Sequence, residues 1–145
     1  ATALKARAAE RLENGATGSL ADAVALGESI TPILIGSHAE QGDAVAMDLL
    51  METADWLSVG IVTLMHTIDP SAIILGGAMT FGREDHPVGR AFLDRIDTCV
   101  RRHTFPTLAE KTAIRFATLG GNAGSIGAAG LSRLAWKQHN TPMHA

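Results

Sequence analysis

Two glycine-rich segments contain the residues whose types and spacing could do chemistry. The first is LGGAM, Leu75–Met79, which directly follows a short apolar run, and the second is LGGNAGSIGAAG, Leu119–Gly130. Glycines just after a buried parallel strand let backbone N–H groups approach a ligand at the carboxyl edge of a sheet, where α/β proteins bind ligands. A helix N-terminus beside a glycine turn can hold an anion. The two segments therefore predict either a ligand site or places of close packing.

Glycine also recurs inside helices that the sequence predicts, and there close packing is the favoured interpretation. Gly124, Gly127 and Gly130 fall every third residue in the last helix, and Gly60 lies inside the longest one. Each glycine in a helix interior costs about 1 kcal/mol relative to alanine, so packing or ligand proximity must offset that cost. For Gly60 we predict a close contact with a second helix, either within the chain or across a dimer.

Composition and motifs exclude several classes of function. The 145 residues carry a formal net charge of −3 and no run of basic residues, which argues against nucleic acid as a partner of this chain. Neither a Walker A loop nor a G-x-S-x-G nucleophile motif occurs. Cys99 is the only cysteine, and the histidines are not spaced to bind zinc. We therefore predict no metal site, no catalytic residue and no membrane span in this chain, and a location in the reducing cytoplasm.

Helix and strand signals place these segments on secondary structure. An apolar stripe at steps of three and four residues predicts a long helix over Ala44–Ile68, with Asp43 as its N-cap. The remaining predicted elements are a helix Ala1–Asn14, a loop with one helical turn at Leu20–Ala25, a helix Pro32–Glu40 capped by Thr31, a fully buried strand Ala72–Leu75, a loop Gly76–His86, a helix Pro87–Arg102, a turn Phe105–Glu110, a strand Ala113–Leu119, a tight turn Gly120–Asn122 and a helix Ala123–Lys137.

The order strand, helix, strand predicts a parallel crossover and hence an α/β fold. Two strands make a poor sheet by themselves, because parallel strands are normally buried on both faces of larger sheets. We therefore expect the chain to be part of a larger architecture. An uncovered apolar face of this kind usually marks an interface, so we also expect a homo-oligomer.

At both glycine segments the chain resembles the ROK family, which groups sugar kinases such as glucokinases with sugar-responsive repressors. The resemblance extends through AEQGDAVAMDLLMETADWLSVGIVTLMHTIDPSAIILGGAM and ATLGGNAGSIGAAGLSRLA, and ATALKARAAERL is similar to the helix after the family's zinc segment. It covers almost the whole chain, although only the glycine segments are specific. It implies the helix-rich C-terminal part of an actin-like ATPase (ribonuclease H-like) fold with few parallel strands, over residues 1–138, without the N-terminal domain and with a frayed tail at residues 139–145.

The same resemblance implies which residues meet a ligand. Gly76, Gly77 and Ala78 would approach an adenine nucleotide, and Gly120 and Gly121 would help to shape the adenosine end of the cleft. The parent protein would use ATP with Mg and would bind a sugar as its second partner. The long helix would contribute to dimerisation.

Motifs that the family's kinases need are missing from this sequence. It contains no D-x-G-G-T phosphate loop, no E-x-G-H sugar and zinc motif and no cysteine-rich zinc segment, and the repressors' helix-turn-helix is missing too. We therefore expect the nucleotide-side portion of an ATP-dependent, glucokinase-like sugar kinase, inactive as an isolated chain. The alternatives are the C-terminal effector and dimerisation region of a sugar-responsive repressor, and a stand-alone module that self-associates.

Overall fold

The computed structural model describes residues 1–77 and 79–140 and follows the predicted order of helices and strands. Two short 3₁₀ turns, at Arg83–Asp85 and Gly120–Asn122, precede the helices that follow each strand. In the described residues the elements are α1 (Thr2–Glu13), α2 (Ser19–Ala25), α3 (Pro32–Glu40), α4 (Ala44–Ile68), β1 (Ala72–Leu75), α5 (Pro87–His103), α6 (Pro106–Lys111), β2 (Ala113–Phe116) and α7 (Ala123–Asn140).

The hydrophobic core is built around α4, which packs against α5, α3 and α1. Leu49, Leu50 and Met65 of α4 are buried, as are Phe92 and Ile96 of α5. Full burial of such a side chain is worth about 1.5–3 kcal/mol, so the α4–α5 contact supplies much of the stability of this part of the chain.

The start of α4 is held by Asp43, as the sequence predicted. Its carboxylate accepts hydrogen bonds from the backbone N–H of Ala46 at 2.8 Å, from the backbone N–H of Leu20 at 2.9 Å and from the hydroxyl of Ser19 at 3.1 Å. Burial alone would raise the pKa of Asp43, but these donors outweigh burial and lower the pKa. One carboxylate thereby ties α2 to the N-terminus of α4.

The two strands pair in parallel, with Ala72 opposite Ala113 and Leu75 opposite Phe116. The prediction that β1 is fully buried is wrong, because Ile74 is 60% exposed while Ile73 and Leu75 pack against the core. A two-stranded sheet covered on one face leaves alternate side chains in solvent, whereas the prediction assumed cover on both faces.

Two boundaries in the second half of the chain differ from the prediction. The segment expected to be a turn contains the helix α6, which starts at Pro106, a residue suited to the first helical position. The second strand ends at Phe116, three residues earlier than expected, because the chain turns towards the glycines after Ala117. The frayed tail was predicted from residue 139; α7 continues to Asn140, and residues 141–145 lie outside the described residues.

Helix α7 extends away from the core, and its side chains are exposed from Ala123 to His139. A Cβ atom built on Gly124, Gly127 or Gly130 meets no atom within 4 Å, and the same holds for Gly60 on α4. Close packing within the described residues therefore does not account for these four glycines, which corrects that interpretation. A contact across a dimer, the other possibility for Gly60, stays a prediction.

None of the helices in the described residues is both long enough and apolar enough to cross a membrane.

Candidate functional site

The carboxyl ends of β1 and β2 lie side by side, and a glycine turn follows each of them. The backbone N–H of Ala117 donates to the carbonyl of Leu75 at 2.7 Å, which holds the two segments together just beyond the last residue of β2. Gly77 and Gly120 then take positive φ angles of 87° and 54°, a backbone region that glycine enters at no steric cost. Both turns therefore open at the same edge of the sheet.

A cavity of 550 Å³ lies between these two turns. It is lined by Gly76, Gly77, Thr80, Arg83, Ala117, Gly120, Gly121 and Ala123. Four of the five residues expected to approach a nucleotide thus meet at one cavity, and the fifth, Ala78, lies outside the described residues.

A side chain at these glycines would find open space among the described residues. A Cβ atom built on Gly77, Gly120 or Gly121 meets nothing within 4 Å among the described residues, and one on Gly76 meets only the Cβ of Ala117, at 3.5 Å. Positive φ angles account for Gly77 and Gly120, but side chains of the described residues do not explain Gly76 and Gly121. A ligand that lies against the backbone of both turns would explain these two, because any side chain there would occupy its place.

Arg83 also lines the cavity, and the sequence prediction missed it. The sequence placed it, together with Glu84, Asp85 and His86, in the predicted loop Gly76–His86, where a solvated role is the ordinary expectation for charged residues. In the structure, Glu84 and Asp85 do not line the cavity, and the Nδ1 atom of His86 caps α5 by accepting a hydrogen bond from the N–H of Val88 at 3.3 Å. The available signal was position, since Arg83 is the first charged residue after the Leu75–Met79 segment.

The guanidinium of Arg83 reaches across the cavity edge from one turn to the other. Its Nη1 atom donates a hydrogen bond to the carbonyl of Thr118 at 3.2 Å, close to the turn that follows β2. Arg83 is the one charged side chain among the described lining residues. Backbone N–H groups, one hydroxyl at Thr80 and one cation suit the binding of an anionic ligand, whereas acid–base chemistry needs a titratable group within reach of the substrate.

A second cavity, of 460 Å³, lies between α1 and α4 and has a different character. Its lining is mostly apolar, with Leu4, Trp56 and Met79 among the residues. Its cation, Arg7, already donates to the hydroxyl of Thr53 at 2.6 Å and lies 3.7 Å from the carboxylate of Glu52. The glycine cavity is therefore the better candidate for a polar ligand, because its cation has no carboxylate partner among the described residues.

Known proteins resemble this chain in both sequence and structure. The glucokinase of Streptomyces coelicolor is 34% identical over 118 residues, which cover 76% of this chain and 34% of that protein. A crystal structure of a ROK family glucokinase from Streptomyces griseus, in complex with glucose and AMPPNP, superposes with a TM-score of 0.72 at 33% identity, over 92% of this chain and 42% of that one. The chain thus spans about a third of the length of the curated relatives that it matches.

A crystal structure of a ROK family transcriptional regulator, a homolog of the E. coli MLC protein, also matches, with a TM-score of 0.64 at 22% identity over 80% of this chain and 28% of that one. At that identity the likeness shows a shared fold alone. The sequence model described as ROK family matches residues 2–134. The chain therefore belongs to the ROK family.

Proposed function

We propose that this chain is the nucleotide-side portion of an ATP-dependent, glucokinase-like sugar kinase with the actin-like ATPase fold. The observation that carries the proposal is that Gly76, Gly77, Gly120 and Gly121 line one cavity at the carboxyl edge of two parallel strands. Open α/β sheets bind their ligands at that edge. The similar glucokinase from Streptomyces griseus holds AMPPNP, an analogue of ATP, together with glucose.

In this proposal the chain contributes binding and charge. The glycine turns let the backbone approach the nucleotide, and Arg83 supplies a positive charge near it. The described lining contains no carboxylate, so we place no Mg²⁺ ligand among these residues; magnesium in kinases is usually held by carboxylates together with the substrate's phosphates. Phosphoryl transfer depends mostly on positioning and charge stabilisation. A portion without the sugar site and the phosphate loop cannot position both substrates.

The test compares the intact gene product that contains this chain with the 145-residue chain itself. We expect the intact product to form glucose phosphate and ADP from glucose and ATP in a coupled assay. The isolated chain should bind ADP in a calorimeter but should not turn over. Turnover by the isolated chain would contradict the proposal that this chain only binds the nucleotide and needs the rest of the protein for catalysis. An intact product that phosphorylates no sugar with ATP would contradict the kinase assignment.

A sugar-responsive repressor is the second candidate, because the fold also matches a ROK family transcriptional regulator. The residues upstream in the intact gene product decide between the two. A helix-turn-helix there favours the regulator, and a D-x-G-G-T loop with a sugar-binding motif favours the kinase. The mass of the native product separates these two candidates from the stand-alone module. A mass near 15.2 kDa would favour the stand-alone module, and a much larger mass would favour a kinase or a regulator.

We also propose that the protein self-associates in the cytoplasm. Large apolar side chains are exposed on α4 and α7, among them Trp56 at 67%, Val59 at 59% and Leu131 at 71%. Contiguous exposed apolar surface is typical of interfaces. A strictly monomeric species at micromolar concentration in analytical ultracentrifugation would contradict self-association.

A further inference from the structure

We infer that Arg83 recognises the phosphate chain of the nucleotide, so that the glycine cavity prefers nucleoside phosphates to unphosphorylated nucleosides. The inference rests on the proposed function, in which this cavity binds an adenine nucleotide. It goes further by giving one side chain a role in selecting the ligand.

Arg83 carries the one formal charge among the eight described residues that line the cavity, and no described carboxylate lies within ion-pair distance of it. Its acidic neighbours Glu84 and Asp85 do not line the cavity. An arginine is charged at every physiological pH. The cavity therefore presents an unneutralised cation to whatever enters it.

One edge of the Arg83 guanidinium has no hydrogen-bond partner among the described residues. Nη1 is engaged by the carbonyl of Thr118, at 3.2 Å, and no hydrogen bond from Nε or Nη2 is formed within the described residues. Nε–H and Nη2–H form one edge of the guanidinium, and two parallel donors on such an edge match two oxygens of a phosphate. The contact to Thr118 thus holds the group at the cavity while it leaves the bidentate edge for a ligand.

The loop holds Arg83 at the cavity before any ligand arrives. Phe81, Gly82 and Arg83 have consecutive positive φ angles of 43°, 77° and 58°, a conformation that residues other than glycine adopt only when their surroundings hold them there. The ring of Phe81 is buried and packs edge-to-face on Phe92, with 5.0 Å between the ring centroids. Gly89 of α5 lies directly beneath the carbonyls of Phe81 and Arg83. Packing on α5 therefore fixes the loop, and a group fixed in advance loses less freedom on binding.

The test measures dissociation constants for adenosine and for ADP by calorimetry on the intact gene product that contains this chain. Arg83→Gln keeps a side chain on the same backbone and removes the charge. We expect it to weaken ADP binding by roughly tenfold or more and to change adenosine binding by less than about twofold, because only ADP offers an anion to the guanidinium. Arg83→Lys, which keeps the charge without the fork, should weaken ADP binding by an intermediate factor and provides a second measurement if Arg83→Gln folds poorly.

Arg115→Gln is the matched control. Arg115 is an exposed arginine on the neighbouring strand, outside the cavity lining, and its side chain forms no hydrogen bond or ion pair with the described residues. Its replacement removes the same charge and should leave both dissociation constants unchanged. If Arg83→Gln loses the same affinity for adenosine as for ADP, as stacking on the base would give, the inference is overturned. The inference is also overturned if Arg83→Gln loses affinity for neither ligand. Both outcomes leave the proposed function standing. Failure of the unsubstituted protein to bind ADP overturns the proposed function, and the inference with it.

Discussion

Replacement of Gly89 by alanine tests whether α5 positions the loop that carries Arg83. A Cβ atom at Gly89 would lie 2.0 Å from the carbonyl oxygen of Arg83 and 2.7 Å from that of Phe81. Real Cβ contacts essentially never fall below 3.0 Å, so the helix and the loop must separate by about 1 Å. Both obstacles are backbone atoms and cannot rotate away. The buried ring of Phe81 also holds the loop against α5, through its contact with Phe92, so the loop cannot move away without loss of that contact.

The expected loss of stability combines two opposing effects. Overpacking of a well-packed site typically costs about 1–3 kcal/mol, and contact with backbone favours the upper end of that range. Alanine gains at most about 1 kcal/mol over glycine from helix propensity. The net destabilisation of Gly89→Ala is therefore about 2 kcal/mol, which corresponds to a fall in Tm of roughly 4–8 °C for a chain of this size.

Gly60→Ala is the matched control, since Gly60 is an exposed glycine inside α4 whose added Cβ would meet no atom within 4 Å. No atom of the described residues opposes the propensity gain there, so in the dissociated chain we expect stabilisation by about 1 kcal/mol. Thermal unfolding followed by circular dichroism measures both variants on one protein background. If the Tm of Gly89→Ala exceeds that of the unsubstituted protein, as is expected for Gly60→Ala, packing on α5 does not hold the loop.

Two further variants test the N-cap and the exposed helix. Asp43→Asn should lower the free energy of unfolding by about 1–2 kcal/mol at pH 7, because it removes charge-assisted bonds to Leu20 and Ala46. Because the folded-state pKa of Asp43 is lowered, its contribution to the free energy of unfolding is complete above the unfolded-state pKa and is lost as the pH falls through the folded-state pKa. In urea unfolding, the stability difference between Asp43→Asn and the unsubstituted protein should therefore shrink below about pH 4. A stability difference that stays constant with pH would contradict this role of the Asp43 carboxylate. On α7, the double variant Leu131→Glu and Leu134→Glu should reduce self-association in analytical ultracentrifugation. Its Tm should not fall, because both leucines are more than half exposed. If the double variant associates as strongly as a Ser132→Glu control, α7 is excluded from the interface.

The elements that the sequence predicted best are those with strong local signals. The bounds of α4 agree with the prediction at both ends, because Asp43 caps its start and Pro70 follows its last turn. The first strand and its parallel pairing could also be predicted from chain order and residue type. The site glycines could be found for the same reason, since a glycine pair directly after an apolar run is a local pattern.

Features that depend on distant residues were not predictable in this way. Phe81 belongs to the core although it lies in a predicted loop, because Phe92 and Gly36, far away in sequence, form its pocket. Arg83 reaches the cavity only because that ring is buried and the backbone turns left-handed after it. The exposure of Ile74 likewise depends on how many strands and helices cover the sheet, which no local pattern specifies.

The glycines show why a residue type alone does not reveal its cause. Gly89 is required because backbone of the loop that precedes α5 lies where its side chain would be, and Gly77 because its φ angle is 87°. Gly124, Gly127 and Gly130 have neither reason within the described chain: no atom approaches them and none has a positive φ angle. Three such residues still cost α7 on the order of 3 kcal/mol in helix propensity. Packing against a surface or ligand beyond the described residues would offset that cost, and for these glycines such packing stays a prediction.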